Sequence, residues 1–139
     1  MVGTVAGMSD AVTVVRTFLD LLAGGRAAEA VEMLTEDAEW RNTGLPTLRG
    51  ARVRKILLDM ERRNVKFSAD MHAMAADGDK VLTDRTDFLR IGPWEASFWV
   101  CGTFTVRDGK VAVWDDKYAM GNVLAGSARG VFNLIRGGR

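Results

Sequence analysis

The stretch Val81-Leu82-Thr83-Asp84-Arg85-Thr86-Asp87-Phe88-Leu89-Arg90-Ile91 decides how this chain is read. β-Branched and apolar residues dominate it, which predicts a strand. Side chains on a strand alternate between faces. One face therefore carries Val81, Thr83, Arg85, Asp87 and Leu89, and the other carries Leu82, Asp84, Thr86, Phe88 and Arg90. The first face sets a guanidinium beside a carboxylate among apolar neighbours. If that face is buried, both charges need partners, because unpaired charge in an apolar interior is very costly. Asp116, in the last predicted strand, is available to complete an Asp–Arg–Asp cluster. The competing reading of the same residues is a structural ion pair near a strand end, since structural networks also gather charge.

Working outward, the chain turns on both sides of this strand. Upstream, Phe67, Ala69, Met71 and Ala73 alternate with Lys66, Ser68, Asp70 and His72, and Asp77-Gly78-Asp79 marks a hairpin turn. Downstream, Gly92-Pro93 leads into Trp94–Arg107, whose middle is apolar on both faces and is expected to be a central strand. Asp108-Gly109 is a third turn signal. The strand Lys110–Tyr118 then places Ala112, Trp114, Asp116 and Tyr118 in one phase. The N-terminal part reads as helices. Ser9 is a good N-cap, with Val12, Val15, Phe18, Leu19 and Leu22 forming an apolar stripe that Gly24-Gly25 ends. A short helix over Ala27–Leu34, a polar turn at Thr35–Glu39 and a strand over Ala38–Asn42 follow, the last with Trp40 and Asn42 on one face. Gly44, Pro46 and Gly50 mark a loop before a third helix, Ala51–Arg63. Residues 1–8 are expected to be disordered, residues 9–139 to form a single domain, and Asn122–Arg136 to form a last helix. Helices first and successive hairpins afterwards predict an α+β fold. Its curved, mostly antiparallel sheet closes with the N-terminal helices into a cone that encloses a pocket.

Composition narrows the function. The chain has 139 residues, 47% hydrophobic and 27% charged, with a formal net charge of +1, which fits one globular domain and leaves no electrostatic footprint for nucleic acid. The basic residues of the third helix (Arg52, Arg54, Lys55, Arg62 and Arg63) read as a solvated face. The lone Cys101 cannot form an intramolecular disulfide and is expected to pack in the core; the lone His72 cannot build a histidine metal cluster. Composition thus excludes a cysteine-rich or histidine-based metal site. No apolar run approaches the ~20 residues of a membrane span, and residues 1–8 lack the charged start of a signal peptide, so a cytoplasmic location is expected.

Trp40, Asn42, Arg85, Asp87 and Asp116 can all be placed on cavity-facing sides of strands. Such a set suits the opening of a strained ring by water. One carboxylate takes a proton from water, the other, protonated, gives one to the leaving oxygen, and an arginine between them holds both and keeps their protonation unequal. Asn42 and the Trp40 indole N–H can orient the water.

Several segments resemble the limonene-1,2-epoxide hydrolase family, especially its mycobacterial members. They are Gly78-Asp79-Lys80-Val81-Leu82-Thr83-Asp84-Arg85-Thr86-Asp87, Ile91-Gly92-Pro93, Phe98-Trp99-Val100-Cys101-Gly102-Thr103-Phe104, Asp108-Gly109-Lys110 and Trp114. The resemblance implies the cystatin-like cone shared with nuclear transport factor 2. It also implies a cofactor-independent hydrolase that turns a small lipophilic epoxide and water into a vicinal diol. By position, Asp116 falls on the general base, Asp87 on the acid, Arg85 on the link between them, and Trp40 and Asn42 on the family's water-holding Tyr-x-Asn. Three departures stand out: Trp40 replaces the usual Tyr, Asp115 the usual Arg, and Lys117 the usual aromatic residue. Lys117 is in phase with Asp115 and is expected to pair with it on the outer face. The resemblance further implies a homodimer formed through the sheet. An isomerase or cyclase of the same fold using an Asp base, and a non-catalytic small-molecule-binding module, are the alternative functions.

Overall fold

The computed structural model describes residues 2–118, with side chains from Asp10 onward. Three helices precede most of a six-stranded sheet: α1 (Val2–Ala23), α2 (Ala27–Val31), β1 (Leu34–Asn42), β2 (Leu48–Arg49), α3 (Ala51–Arg62), β3 (Val65–Asp77), β4 (Lys80–Ile91), β5 (Trp94–Arg107) and β6 (Lys110–Lys117). The sheet order is β2-β1-β6-β5-β4-β3; every pair is antiparallel except β1–β6, which is parallel. The α+β cone expected from sequence is therefore the fold. The last helix expected over Asn122–Arg136 lies outside the described residues.

Helix α1 presents Ala11, Val15, Phe18 and Leu19 to the sheet, and these join Val81, Phe104, Val111 and Trp114 in one core. It starts at Val2, so the cap expected at Ser9 is not its beginning, and the segment expected to be disordered is helical from Val2. No proline interrupts residues 2–8, and helix can propagate backward once the packed turns are formed. The far end stops where expected: Gly25 takes a positive φ of 71°, and Gly24 N and Arg26 N donate to the carbonyls of Asp20 and Leu21.

Three local expectations change in the folded chain. The polar segment 35–39 is not a turn but part of β1. Val111 N donates to the Met33 carbonyl and Leu34 pairs with Val111, so partnership with β6 draws the segment into the sheet, and α2 ends at Val31. The single phase expected along β3 breaks at His72: Met71 pairs with Arg85, but Ala73 already pairs with Asp84. One extra residue on β3 flips the faces beyond it. Met74 and Ala76 then turn toward the core while Ala73 is exposed. His72 stays at the surface of the sheet with Nε2 2.8 Å from Thr86 Oγ1. Finally, Cys101 is half-buried on the outer face of β5 rather than packed in the core, because its neighbours Val100 and Gly102 take the inward phase. The Asp108-Gly109 signal is an obligatory one: both residues have positive φ, 53° and 76°, as a two-residue turn between twisted strands requires.

Candidate active site

The alternation read from β4 holds. Val81, Thr83, Arg85 and Asp87 face inward and are buried, whereas Leu82 on the other face is half exposed. Arg85 is completely buried, and Asp87 and Asp116 retain only 4% and 5% of their surface. The guanidinium meets Asp87 through two parallel hydrogen bonds, Nε to Oδ1 at 2.8 Å and Nη2 to Oδ2 at 3.0 Å. Nη2 also reaches Oδ2 of Asp116 at 2.7 Å, and Nη1 donates to Thr83 Oγ1 at 3.0 Å. The Thr83 hydroxyl in turn donates a hydrogen bond to the Gly102 carbonyl at 3.1 Å. Forked, charge-assisted contacts of this kind fix geometry as well as energy. Phe104 lies under the guanidinium, its ring centre 5.8 Å from Cζ.

Two carboxylates around one guanidinium leave one negative charge in excess. Burial raises Asp116's pKa from the usual carboxylate range to about 6, and the Asp87 charge adds to the rise, while Arg85 opposes both. One of its oxygens, Oδ1, is buried and has no hydrogen-bond partner among the described residues. Burial works against the Arg85 charge, but the two carboxylates outweigh it and raise its pKa.

The parallel pairing of β1 with β6 brings in the remaining candidates. It sets Trp40 opposite Trp114 and Asn42 opposite Asp116. The Trp40 and Trp114 rings stack at 4.5 Å with an interplanar angle of 11°, and Phe18 meets Trp114 edge-on at 5.2 Å. The indole nitrogens of both tryptophans are buried, with no hydrogen-bond partner among the described residues. A cavity of about 520 Å³ opens onto Trp40, Asn42, Asp87 and Asp116, with apolar walls that include Leu57, Met60, Leu89 and Phe98. That is the size range of small-molecule sites. Met71 and Met74 pack against the core. Asp115 points away from the cavity, and Lys117 Nζ contacts it at 3.1 Å on the outer face, as the strand phase predicted. The structure thus brings together all five residues singled out from sequence.

Sequence reasoning gave Gly102 no role. A Cβ built there would lie 2.5 Å from Arg85 Nη1, 2.7 Å from Asp116 Oδ1 and 2.9 Å from Thr83 Oγ1. Only a residue without a side chain lets these three groups meet. The available signal was an isolated glycine inside an apolar strand, which often marks a close approach.

Together these features define an α+β cone whose apolar, small-molecule-sized cavity is bordered by two buried carboxylates joined by one guanidinium. The model of the limonene-1,2-epoxide hydrolase catalytic domain matches residues 9–129, and the chain belongs to that family. The epoxide hydrolase EphG of Mycobacterium tuberculosis is 36% identical over 121 residues, covering 87% of this chain and 81% of that protein. The solved structure of a limonene-epoxide-hydrolase-like epoxide hydrolase from M. tuberculosis superposes with a TM-score of 0.87 at 36% identity, over 92% of this chain and 96% of the other. SalBIII, an epoxide hydrolase/cyclase-like enzyme in pyran ring formation, shares the fold at a TM-score of 0.70 and 18% identity, covering 79% of this chain and 91% of its own. Among the described residues, no helix is long and apolar enough to cross a membrane.

Proposed function

We propose that this enzyme adds water to a lipophilic epoxide to give a vicinal diol, with Asp116, Arg85 and Asp87 as its acid–base machinery. The observation that carries the reading is the buried guanidinium bridging two carboxylates that both border an apolar cavity. Asp116 removes a proton from the attacking water, and its raised pKa makes it a stronger base than an ordinary carboxylate. As water oxygen bonds to one epoxide carbon, the C–O bond breaks and its electron pair moves to the ring oxygen, which takes a proton from Asp87. The two carboxylates share one guanidinium, and an apolar substrate that displaces water favours the singly protonated cluster that the reaction needs. Asn42 and the unpartnered Trp40 indole N–H orient the water, the indole standing where the family has a tyrosine hydroxyl. The homodimer implied by the family resemblance would use the outer sheet face, where Leu82 and Trp99 are about half exposed.

The deciding experiment is diol formation from a panel of lipophilic epoxides, comparing the parent with Asp87→Asn, Asp116→Asn and Asp115→Asn. The expected result is turnover by the parent and by Asp115→Asn, and a loss of at least ~10²-fold in the other two. Loss confined to Asp115→Asn would overturn the assignment of the base. Absence of diol with every epoxide, together with ring closure of a hydroxy-epoxide, would favour the cyclase reading, in which the substrate's own hydroxyl replaces water.

A further inference from the structure

Tyr118 is the one tyrosine in the chain, and the resemblance gives it no role. It follows Asp116 by two residues on the same face and borders the same cavity. Its backbone is held: Tyr118 N donates to Thr43 Oγ1 at 3.2 Å, while Thr43 N donates to the Asp116 carbonyl at 3.3 Å. Its ring meets the Phe98 ring edge-on at 5.7 Å, and Phe98 is the strand partner of Asp87. The phenol, just past the end of β6, is therefore tied by its backbone to the Asp116 side of the site and by its ring to the Asp87 side. Burial, and then the charge of Asp116, push its pKa upward, so the hydroxyl keeps its proton across the working range.

From this placement we infer that the Tyr118 hydroxyl is a catalytic hydrogen-bond donor to the epoxide oxygen, acting beside Asp87; the inference rests on the hydrolase reading. A water molecule that donates to Asp116 and Asn42 and accepts from Trp40 keeps one lone pair for attack. A second donor on that water would occupy this lone pair, so the phenol acts at the other end of the reaction. There, negative charge builds on the ring oxygen as its bond to carbon breaks. Tyr118 donates a hydrogen bond to that oxygen without giving up its proton, and the proton that is transferred comes from Asp87. A donor aimed at an oxygen that gains charge acts mainly in the transition state, so its removal lowers kcat more than it raises KM.

The test is Tyr118→Phe, which keeps the ring and its contact with Phe98. With a plain alkyl epoxide, kcat is expected to fall about 10–100-fold, KM to stay within about threefold and Tm to be unchanged. An electron-withdrawing substituent next to the epoxide stabilises the departing oxygen, so the loss should be several-fold smaller with such a substrate. A purely structural role would give equal losses with both substrates, and that result overturns the inference, as does a kcat within twofold of the parent. If the parent opens no epoxide at all, the hydrolase reading fails and this role fails with it. Parent turnover that survives in Tyr118→Phe removes the tyrosine role alone.

Discussion

Replacing Gly102 by alanine tests the site through one carbon atom. Gly102 does not occupy the left-handed region, so the backbone accepts alanine and the cost is steric. Ordinary contact begins near 3.4 Å, whereas the new Cβ would stand 2.5, 2.7 and 2.9 Å from Arg85 Nη1, Asp116 Oδ1 and Thr83 Oγ1, so these atoms must retreat by 0.5–0.9 Å. Arg85 and Thr83 have no free space, and Asp116 can retreat only by breaking its contact with Arg85 or entering the cavity. Arg85 is fully buried over Phe104 and committed to three partners, and Thr83 is tied to the Gly102 carbonyl. Overpacking of this kind costs about 1–3 kcal/mol. In a chain of this size that corresponds to a fall in Tm of roughly 3–10 °C. If Asp116 is the proposed base, its displacement by about 0.7 Å is worth up to about 10² in rate. Gly102→Ala should therefore show both effects: a lower melting temperature by calorimetry and a kcat for diol formation reduced by up to about a hundredfold. A variant that melts within 1 °C of the parent, with unchanged kcat, would refute the packing argument. A variant that loses stability but keeps kcat would separate Gly102 from the chemistry.

Two further predictions concern stability. Asp116 has a folded pKa of about 6 against 3.8 for the free side chain, so the folded state binds a proton that the unfolded state has lost between those values. The stabilisation linked to it is complete below about pH 4 and gone as pH rises through 6, a change of about 2–3 kcal/mol. Urea unfolding from pH 4.5 to 7.5 should show Asp116→Asn gaining on the parent as pH rises; a difference independent of pH would contradict the burial-driven shift. Phe18 is fully buried and meets Trp114 edge-on, so Phe18→Ala should cost about 3–5 kcal/mol and loosen the Trp40–Trp114 stack. Unfolding measurements that put the loss below 1 kcal/mol would mean that α1 does not clamp this part of the sheet.

What was legible in the sequence is what depends on neighbours along the chain. Alternation over Val81–Ile91 put Arg85 and Asp87 on one face, and the same rule chose Asp116 over Asp115, because Trp114 and Asp116 share a phase while Asp115 pairs outward with Lys117. The Asp108-Gly109 turn was equally local, set by two residues that tolerate positive φ. Pattern alone could not tell which face was inward, since alternation is symmetric until another layer covers one side; here α1 covers the face bearing Val81 and Phe104. Nor could it foresee the extra residue at His72, because a bulge is defined by the partner strand. The parallel pairing of β1 with β6 joins segments about seventy residues apart and sets Trp40 and Asn42 beside Trp114 and Asp116. The meeting of three polar groups over Gly102 is likewise a property of β4, β5 and β6 together. The sequence by itself determined the phases of β4 and β6, the hairpins and the identity of the charged pair, because those follow from covalent spacing. The tertiary structure decided the inward face, the phase of β3 beyond His72, the contact of Asp116 with Arg85 and the cavity, because each requires strands distant in sequence to pack side by side.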